Sequence, residues 1–376
     1  MLVKLLIVMA ELFKNIYTHK FFEEFTTTIQ KIIPDFNACS FSNKIFDDQW
    51  QDKELKQRMR HITIVLQQHL SPNYSANVDI LLKVIDQLKK EGKKENSLEY
   101  MFFPDFIEVY GILHYETSIK AIEKITQFTS CEFAIRPFLI KFSKKGINQM
   151  IKWSTHKHPM VRRLSTEGCR PRLPWAMSIP FLKKDPISII PILQCLKKDE
   201  SESVRRSVAN NLNDISKDNP DIVISLAKKW IGESNDIDWV VKHGSRTLLK
   251  QGNKQIMKLF GFKSTSQIKI TNFQILTPKV KIGSALEFFF QINNTSLSPS
   301  KLRLEYGLYY QKHNESLSKK VFKISEKLYP EKSKTIITRK QSFKIITTRK
   351  LYPGLHQISI IINGNEFEKH DFILVS

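Results

Sequence analysis

Glu167 is the residue whose type and surroundings most directly suggest chemistry. It stands one position before Gly168 in a cationic segment that contains Arg162, Arg163, Arg170 and Arg172. The simplest interpretation of Glu167 is an ion pair with a neighbouring arginine. The functional interpretation is a carboxylate kept at a phosphate-binding surface, where it would stabilise a cationic sugar or base. Spacing alone leaves both interpretations open.

Trp175 ends the same segment. It follows Pro171 and Pro174, and two prolines so close together predict a rigid turn. The indole either fills the core or offers its face for stacking and cation–π contact.

Glu132 and Asp214 are two further candidate carboxylates. Glu132 follows Ser130, which suits an acid in the first turn of a helix. Asp214 has Lys217 three residues further on, which suits a helical ion pair. Three asparagines crowd the segment Asn210–Asp214 at a cost in helix propensity, so we expect this segment to bond outside its own helix.

Metal and nucleotide chemistry find no support in the sequence. The signatures of a P-loop, G-x-G-x-x-G, G-x-S-x-G and H-E-x-x-H are missing, and C-x-x-C pairs are missing too. His156 and His158 fit loop residues beside Pro159 better than metal ligands. The four widely spaced cysteines indicate neither a disulfide frame nor a structural zinc, and they fit a reducing, cytoplasmic setting. We therefore expect no metal and no cofactor.

The strongest compositional signal is a formal net charge of +22 over 376 residues. Such a surplus indicates a polyanionic partner, because Lys and Arg release counterions when they neutralise phosphates. No long amphipathic basic helix or lipidation signal favours a membrane surface. A basic soluble protein without a polyanionic partner is the alternative. The length itself predicts two domains or three.

The first residues, Met1–Met9, are apolar. They are far fewer than the ~20 residues of a membrane helix. Lys4 and the lack of a small-residue cleavage site disfavour a signal peptide. Met9 is a candidate for the true start of the chain.

Residues from about 10 to about 260 have the apolar periodicity of consecutive helices. One helix face, for example, carries Leu55, Met59, Ile62 and Leu66. Helix boundaries are predicted at Ser71–Asn73, Phe103–Asp105, His158–Pro159, Asn219–Asp221 and Gly252–Asn253.

An internal sequence repeat divides this helical region. Val161–Thr166 and Val204–Ala209 both begin with Val-Arg-Arg and lie 43 residues apart, and a degenerate copy, Val241–Arg246, begins 37 residues later. Periods near 40 in an all-helical chain indicate HEAT or armadillo-like arrays. The apolar face of the second copy consists of Val204, Val208, Leu212 and Ile215. We expect each repeat of a domain spanning residues 1–265 to bury one such stripe and to leave a basic, phosphate-facing edge.

After about residue 266 the pattern changes to short β-branched or alternating runs. The runs include Phe288–Ile292, Leu302–Tyr306, Thr335–Thr338, Phe343–Ile346 and Gln357–Ile362. About seven strands in about 110 residues predict an immunoglobulin-like sandwich for residues 266–376. This region has 18 Lys and Arg against 8 Asp and Glu, an excess of 10. We therefore expect it to contact the phosphate backbone as well.

Five segments of the helical region closely resemble the AlkC branch of the HEAT-like-repeat DNA alkylation-repair glycosylases. They are Met101–Tyr110, Ser130–Phe138, Val161–Ala176, Val204–Asp218 and Trp239–Lys250. The C-terminal region resembles the immunoglobulin-like domain of some family members. The fold class that this resemblance implies is mainly α, a HEAT-like helical-repeat solenoid followed by a small all-β immunoglobulin-like sandwich.

The resemblance implies hydrolysis of the N-glycosidic bond of cationic N3-methylated bases, such as 3-methyladenine and 3-methylcytosine, without extrusion of the base. By motif position, Glu132 and Glu167 are similar to the family's active-site carboxylates, and Trp175 to the aromatic residue beside the lesion. Asp214 is a fourth catalytic candidate. The expected phosphate-contacting residues are Arg162, Arg163, Arg170, Arg172, Arg205, Arg206, Lys242, Arg246 and Lys250.

One pair of residues departs from the family pattern. Gly244 and Ser245 stand in the last repeat where a helix-favouring small residue such as Ala is expected. This departure indicates a weakened helix rather than altered chemistry.

Three classes of function remain in competition. The first is a base-excision-repair glycosylase acting on alkylated double-stranded DNA at the bacterial nucleoid, with a monomer as the simplest clamp around the duplex. The second is a non-catalytic HEAT-repeat protein that binds DNA damage. The third is a protein–protein scaffold, against which the net charge of +22 argues.

Overall fold

Among the described residues, helices lie between residues 13 and 259, and strands occupy most of the region from residue 268 to residue 375. The computed structural model describes residues 13–95, 97–346 and 350–376, so the candidate start at Met9 lies outside the described residues. The α-helices of the described residues are α1 (His19–Gln30), α2 (Ala38–Ile45), α3 (Leu55–Gln68), α4 (Tyr74–Lys90), α5 (Phe102–Tyr110), α6 (Tyr115–Ile125), α7 (Arg136–Lys141), α8 (Ser143–Trp153), α9 (Pro159–Glu167), α10 (Pro180–Lys184), α11 (Ile190–Leu196), α12 (Glu202–Ile215), α13 (Pro220–Trp230), α14 (Asn235–Gly244), α15 (Arg246–Lys250) and α16 (Lys254–Leu259).

Four of the five predicted boundaries lie where one helix has ended and the next begins. The side chains of Asn73 and Asn253 accept backbone N–H groups at the starts of α4 and α16. Pro159 and Pro220 open α9 and α13, positions where the missing proline N–H costs nothing. The predicted break at Phe103–Asp105 is wrong, because these residues lie in the first turn of α5, where proline is tolerated.

The helices pack on their sequence neighbours and on their next neighbours. Contacts join α1 to α2, α2 to α3 and α5 to α6, and also α3 to α5 and α4 to α6. The predicted apolar face of α12, which carries Val204, Val208, Leu212 and Ile215, is fully buried. This arrangement confirms the helical-repeat prediction. Among the described residues, no helix is both long and apolar enough to cross a membrane.

The chain divides into two compact units. One unit extends to Asn219 and adds Asn235–Val240, and the other consists of Pro220–Ser234 and Val241–Ser376. In the second unit α16 packs on α13 and α15. The helix of the third repeat copy ends at Gly244, and Ser245 precedes α15, as the glycine–serine pair indicated.

The strands form a sandwich of two sheets. They are β1 (Ile268–Ile275), β2 (Lys279–Lys281), β3 (Ala285–Asn294), β4 (Ser300–Gln311), β5 (Leu317–Tyr329), β6 (Ser333–Ser342), β7 (Gly354–Ile362) and β8 (Asn365–Val375). One sheet has the order β1-β3-β6 and the other β2-β8-β7-β4-β5. All pairs are antiparallel except β2 with β8. Every second residue of β3 points into the core, which is the period-2 pattern on which the prediction of a sandwich depended.

The prediction of a strand at Phe343–Ile346 is wrong. β6 ends at Ser342, and the backbone N–H of Phe343 donates to the carbonyl of Ser284 at 2.8 Å. The Phe343 side chain is 1% exposed and meets His356 and Phe372, whereas Ile345 is 80% exposed. The apolar run Phe343–Ile346 therefore contributes Phe343 to the core but does not form a strand, because the chain leaves the sheet at Ser342.

We predict that Phe343→Ala lowers the free energy of unfolding by about 3 kcal/mol, because it empties a buried aromatic position. The matched variant Ile345→Ala should change it by less than about 0.5 kcal/mol, because Ile345 is solvent-exposed. Denaturant titration followed by circular dichroism measures both. Equal losses for the two variants would contradict the assignment of Phe343 to the core.

Candidate active site

Close packing fixes the end of α9, where Glu167 lies. The helix starts at Pro159, and the ring of His158 accepts the N–H of Met160 at 3.2 Å, so His158 acts as a cap. Gly168 follows Glu167. A Cβ atom at Gly168 would lie 2.7 Å from Cγ2 of Ile135 and 2.9 Å from the carbonyl oxygen of Leu164. Only glycine allows this close approach, so the position of Glu167 is set by backbone packing.

Arg170 joins Glu167 to Asp214. Its Nη1 donates to Oε1 of Glu167 at 2.5 Å, and its Nε donates to Oδ2 of Asp214 at 2.8 Å. The three side chains are only 8%, 6% and 2% exposed, respectively. Burial alone would lower the pKa of Arg170, but the two carboxylates raise it above its ordinary value. Arg170 is therefore a buried cation inside the protein.

The second oxygen of Glu167 is also engaged. Ser207 of α12 donates to Oε2 at 2.5 Å. Asn211, one turn further along α12, donates to the carbonyl of Thr166 at 2.8 Å. Asp214 also accepts from Lys217 at 3.0 Å. The asparagine-rich segment thus bonds outside its own helix as expected, and the predicted ion pair of Asp214 with Lys217 is present.

Glu132 reaches the same region from a different element. It lies in a turn four residues before α7 and not in the first helical turn that its spacing suggested. Its Oε2 accepts from Ser130 and from Nη1 of Arg163, each at 2.8 Å. Arg163 and Glu167 both line an open cavity of about 470 Å³. Arg163 therefore links the surroundings of Glu132 to those of Glu167.

Trp175 is solvent-exposed and strained. Its side chain is 70% exposed, so the indole does not fill the core. Its φ of 64° lies in the left-handed region, which costs a non-glycine residue about 1–2 kcal/mol. The indole lines a mainly apolar cavity of about 230 Å³ together with Glu132, Phe133 and Leu173. An exposed aromatic side chain and a carboxylate thus line the same cavity.

The arginines that repeat along the chain form internal bonds. Arg162 donates to both carboxylate oxygens of Asp199, at 2.6 and 3.0 Å, and to the carbonyls five and six residues before it. Arg205 makes the same two carbonyl contacts and pairs with Asp236. These bonds hold one repeat to the next. Sequence reasoning assigned Arg162, Arg170 and Arg205 to phosphate, but their side chains are only 11%, 8% and 15% exposed and are engaged in these internal bonds.

The remaining predicted DNA-contacting residues are more open. Arg172 pairs with Asp218, Arg206 with Glu202, and Lys242 with Glu326. Arg246 donates to the carbonyl of His243, and Lys250 is exposed at the end of α15. Arg172 and Arg206 form half-exposed pairs that exchange partners at little cost, whereas Lys242 compensates the carboxylate of Glu326, which is only 6% exposed. Phosphate contact therefore stays a prediction for Arg163, Arg172, Arg206, Lys242, Arg246 and Lys250.

Sequence reasoning missed three residues of this site: Ser207, Arg136 and Lys56. Arg136 is fully buried, which lowers its pKa to about 10, and it donates to the carbonyls of Gly168 and Met177. Lys56 donates to the carbonyl of Trp175. Arg136 and Ser207 lie within the family-like segments, which was their one signal in the sequence, whereas Lys56 lies outside all of them.

The fold and the site define a class of protein: a helical-repeat region with a buried carboxylate–arginine network, followed by a β-sandwich. The chain is 42% identical over 364 residues to the uncharacterised protein YhaZ of Bacillus subtilis (strain 168), covering 97% of this chain and 99% of that protein. The family of the YhaZ C-terminal Ig-like domain matches residues 269–376. The solved structure of Pseudomonas fluorescens alkylpurine DNA glycosylase AlkC, bound to DNA containing an abasic site analog, matches with a TM-score of 0.90 at 31% identity. That match covers 96% of this chain and 99% of AlkC.

The chain therefore belongs to the AlkC-type family of HEAT-like-repeat DNA glycosylases with a C-terminal immunoglobulin-like domain.

We predict that Arg170→Met lowers the free energy of unfolding by about 3 kcal/mol or more, because it leaves the buried Glu167 and Asp214 uncompensated. The matched variant Arg172→Met removes a 40% exposed arginine paired with Asp218, and it should cost less than about 1 kcal/mol. Denaturant titration of both variants tests this. A loss for Arg170→Met no larger than that for Arg172→Met would be inconsistent with a structural role of the buried network.

Proposed function

We propose that this protein is a DNA glycosylase that hydrolyses the N-glycosidic bond of cationic N3-methylated bases, chiefly 3-methyladenine and 3-methylcytosine, in double-stranded DNA. The base stays in the duplex during the reaction and is not extruded into a pocket. Family membership supports the general activity. The observation that carries the proposal is a carboxylate, Glu167, held by Arg170 and Ser207 at the wall of an open, cation-lined cavity.

The chemistry needs few groups. A methylated cationic base leaves as a neutral molecule, so no acid has to protonate it. Positive charge develops on C1′ of the deoxyribose as the bond breaks, and preorganised carboxylates stabilise such charge. Water then bonds to C1′ and gives up its proton, which leaves the free base and an abasic sugar. Hydrolysis of this kind requires no metal and no cofactor.

The four candidate residues divide this work according to their exposure. Glu167 lines the open cavity and is placed to face the sugar and orient the water. Asp214 is more deeply buried and accepts from both Arg170 and Lys217, so its role is to hold Arg170 in position. Glu132 and the exposed indole of Trp175 line the neighbouring cavity and contact the lesion from that side.

Both parts of the chain contribute to DNA binding in this proposal. Residues 1–265 carry the glycosylase activity, and the exposed cations among the repeats bind phosphates. Residues 266–376 add an accessory contact, since they hold an excess of 10 positive charges. A monomer suffices for these contacts.

A non-catalytic binder of damaged DNA is the second candidate. The exposed aromatic face and the excess of positive charge would serve such a protein equally well. The carboxylates inside the cationic segments favour the enzyme, because a negative group weakens phosphate binding unless it serves another purpose.

We predict that Glu167→Gln lowers the rate of 3-methyladenine release by about a hundredfold or more, because it removes charge stabilisation from the transition state. Affinity for DNA should change little, since the amide keeps the shape of the side chain. Incubation with methylated DNA followed by chromatography of the freed bases measures the rate. The matched control is Glu200→Gln, whose carboxylate is solvent-exposed and pairs with Arg162.

Other outcomes of this experiment would separate the candidates. Binding of methylated duplex by the parent chain without release of any base would favour the damage binder. Release of 7-methylguanine alone would refute the proposed substrate class. Equal activity of the two variants would remove Glu167 from the mechanism.

We also predict that Arg206→Met weakens binding to duplex DNA and reduces the slope of log K against log salt by about one, because one phosphate contact is lost. Arg206→Lys keeps the charge and should keep the slope. Fluorescence anisotropy titrations at several salt concentrations measure both. An unchanged slope for Arg206→Met would exclude a phosphate contact at this residue.

A further inference from the structure

The turn that carries Trp175, defined here as Leu173–Met177, is buried only at Leu173, whereas Pro174, Trp175 and Met177 are exposed. Its indole points into solvent, and its backbone at Trp175 adopts the left-handed conformation that a bulky residue avoids. The backbone N–H of Ala176 donates to the carbonyl of Leu173 at a long 3.3 Å. A strained turn with an exposed side chain persists only when surrounding groups determine its conformation.

Lys56 supplies one of those groups from a distant part of the chain. It lies on α3, 119 residues before Trp175, and its Nζ donates to the carbonyl oxygen of Trp175 at 2.7 Å. The neighbouring residues of α3, among them Met59 and Ile62, are buried in the core, so the position of the helix that carries Lys56 is fixed by packing. Lys56 itself is exposed, so its ammonium group is not part of the core that folds the domain.

Arg136 holds the other end of the same turn. Its Nε donates to the carbonyl of Met177 at 2.5 Å, and its Nη1 donates to the carbonyl of Gly168 at 2.9 Å. Gly168 directly follows Glu167, so one guanidinium joins the backbone next to Glu167 to the turn. Its Nη2 has no hydrogen-bond partner among the described residues. A buried guanidinium left partly unsatisfied is costly, and such costs concentrate where function determines the residue.

Lys56, Trp175 and Glu132 also line one cavity. The indole of Trp175 and the carboxylate of Glu132 belong to different elements. The bond from Lys56 fixes the turn that carries the indole. Release of that bond would let Trp175 leave the left-handed conformation and move its ring relative to Glu132. The geometry of the cavity therefore depends on a lysine that need not touch the substrate.

We propose that Lys56 is a positioning residue for base excision. With the buried Arg136 at the other end, it holds the strained Trp175 turn so that the indole and Glu132 line the same cavity. The proposal rests on the glycosylase activity proposed above. Bonds from charged donors to carbonyls are stronger than neutral ones, so these two bonds oppose the tendency of the turn to leave its unfavourable conformation.

The decisive experiment compares Lys56→Met, Lys56→Arg and Lys83→Met in the full chain. Lys83 is an exposed lysine of α4, so Lys83→Met removes the same charge away from the turn. For Lys56→Met we expect kcat for base release to fall about ten- to hundredfold while KM stays within about twofold, since geometry is lost and DNA binding is not. Lys56→Arg should recover most of kcat, and Lys83→Met should keep it.

A second readout does not depend on activity. The difference in fluorescence between each chain and its Trp175→Phe counterpart isolates the Trp175 signal. We expect lower anisotropy of this signal in Lys56→Met, because the indole gains freedom, and parent-like values in Lys56→Arg and Lys83→Met.

The two readouts distinguish the two proposals. If the parent chain releases no base, the proposed function fails, and the fluorescence still decides whether Lys56 restrains the turn. If the parent chain is active but Lys56→Met matches Lys83→Met in kcat or in Trp175 anisotropy, the positioning role of Lys56 is overturned.

Discussion

One buried guanidinium, that of Arg170, holds the end of α9 against α12. Each of these helices contributes a carboxylate, Glu167 and Asp214, to a region from which water is largely excluded. Two such groups close together would be strongly unfavourable without a cation between them. Arg170 offsets this cost and fixes both carboxylates relative to each other. The same bonds that stack two repeats therefore preorganise the candidate site, so the packing and the chemistry of this region cannot be separated.

A related bond recurs along the helical region. Arg162 and Arg205 occupy equivalent places in two repeats, and each donates to the carbonyls five and six residues before it. Each also pairs with an aspartate of a later segment, Asp199 or Asp236. The first arginine of the repeated Val-Arg-Arg thus stabilises the stack, while the second, as Arg163 and Arg206 illustrate, lines the cavity beside Glu167. The two cations of one motif differ because the first bonds within the stack of repeats, whereas the second lines the cavity, where Arg163 also bonds to Glu132.

The β-sandwich contains a comparable network. Arg303 is buried and pairs with Glu305 and Glu326, and Glu326 also accepts from Lys323 and Lys242 within the same compact unit. Burial would raise the pKa of Glu326, but its bonds to the lysines lower it to about 2. Some cations of this charge-rich unit are thus needed for its own stability. The surplus that remains is available for a polyanion, which agrees with the accessory DNA contact proposed for residues 266–376.

The sequence by itself determined the change from helices to strands near residue 266, the helical repeat, the family and the identity of the candidate carboxylates. Apolar periods, helix caps and short motifs express local geometry, so they can be recognised in a linear chain. The tertiary structure alone decided which arginine meets which acid, because Arg170 and Asp214 are 44 residues apart. It also decided that Trp175 is exposed and that Phe343 packs in the core of the sandwich without belonging to a strand. Lys56 could not be found from sequence, since its bond to Trp175 depends on how distant repeats stack.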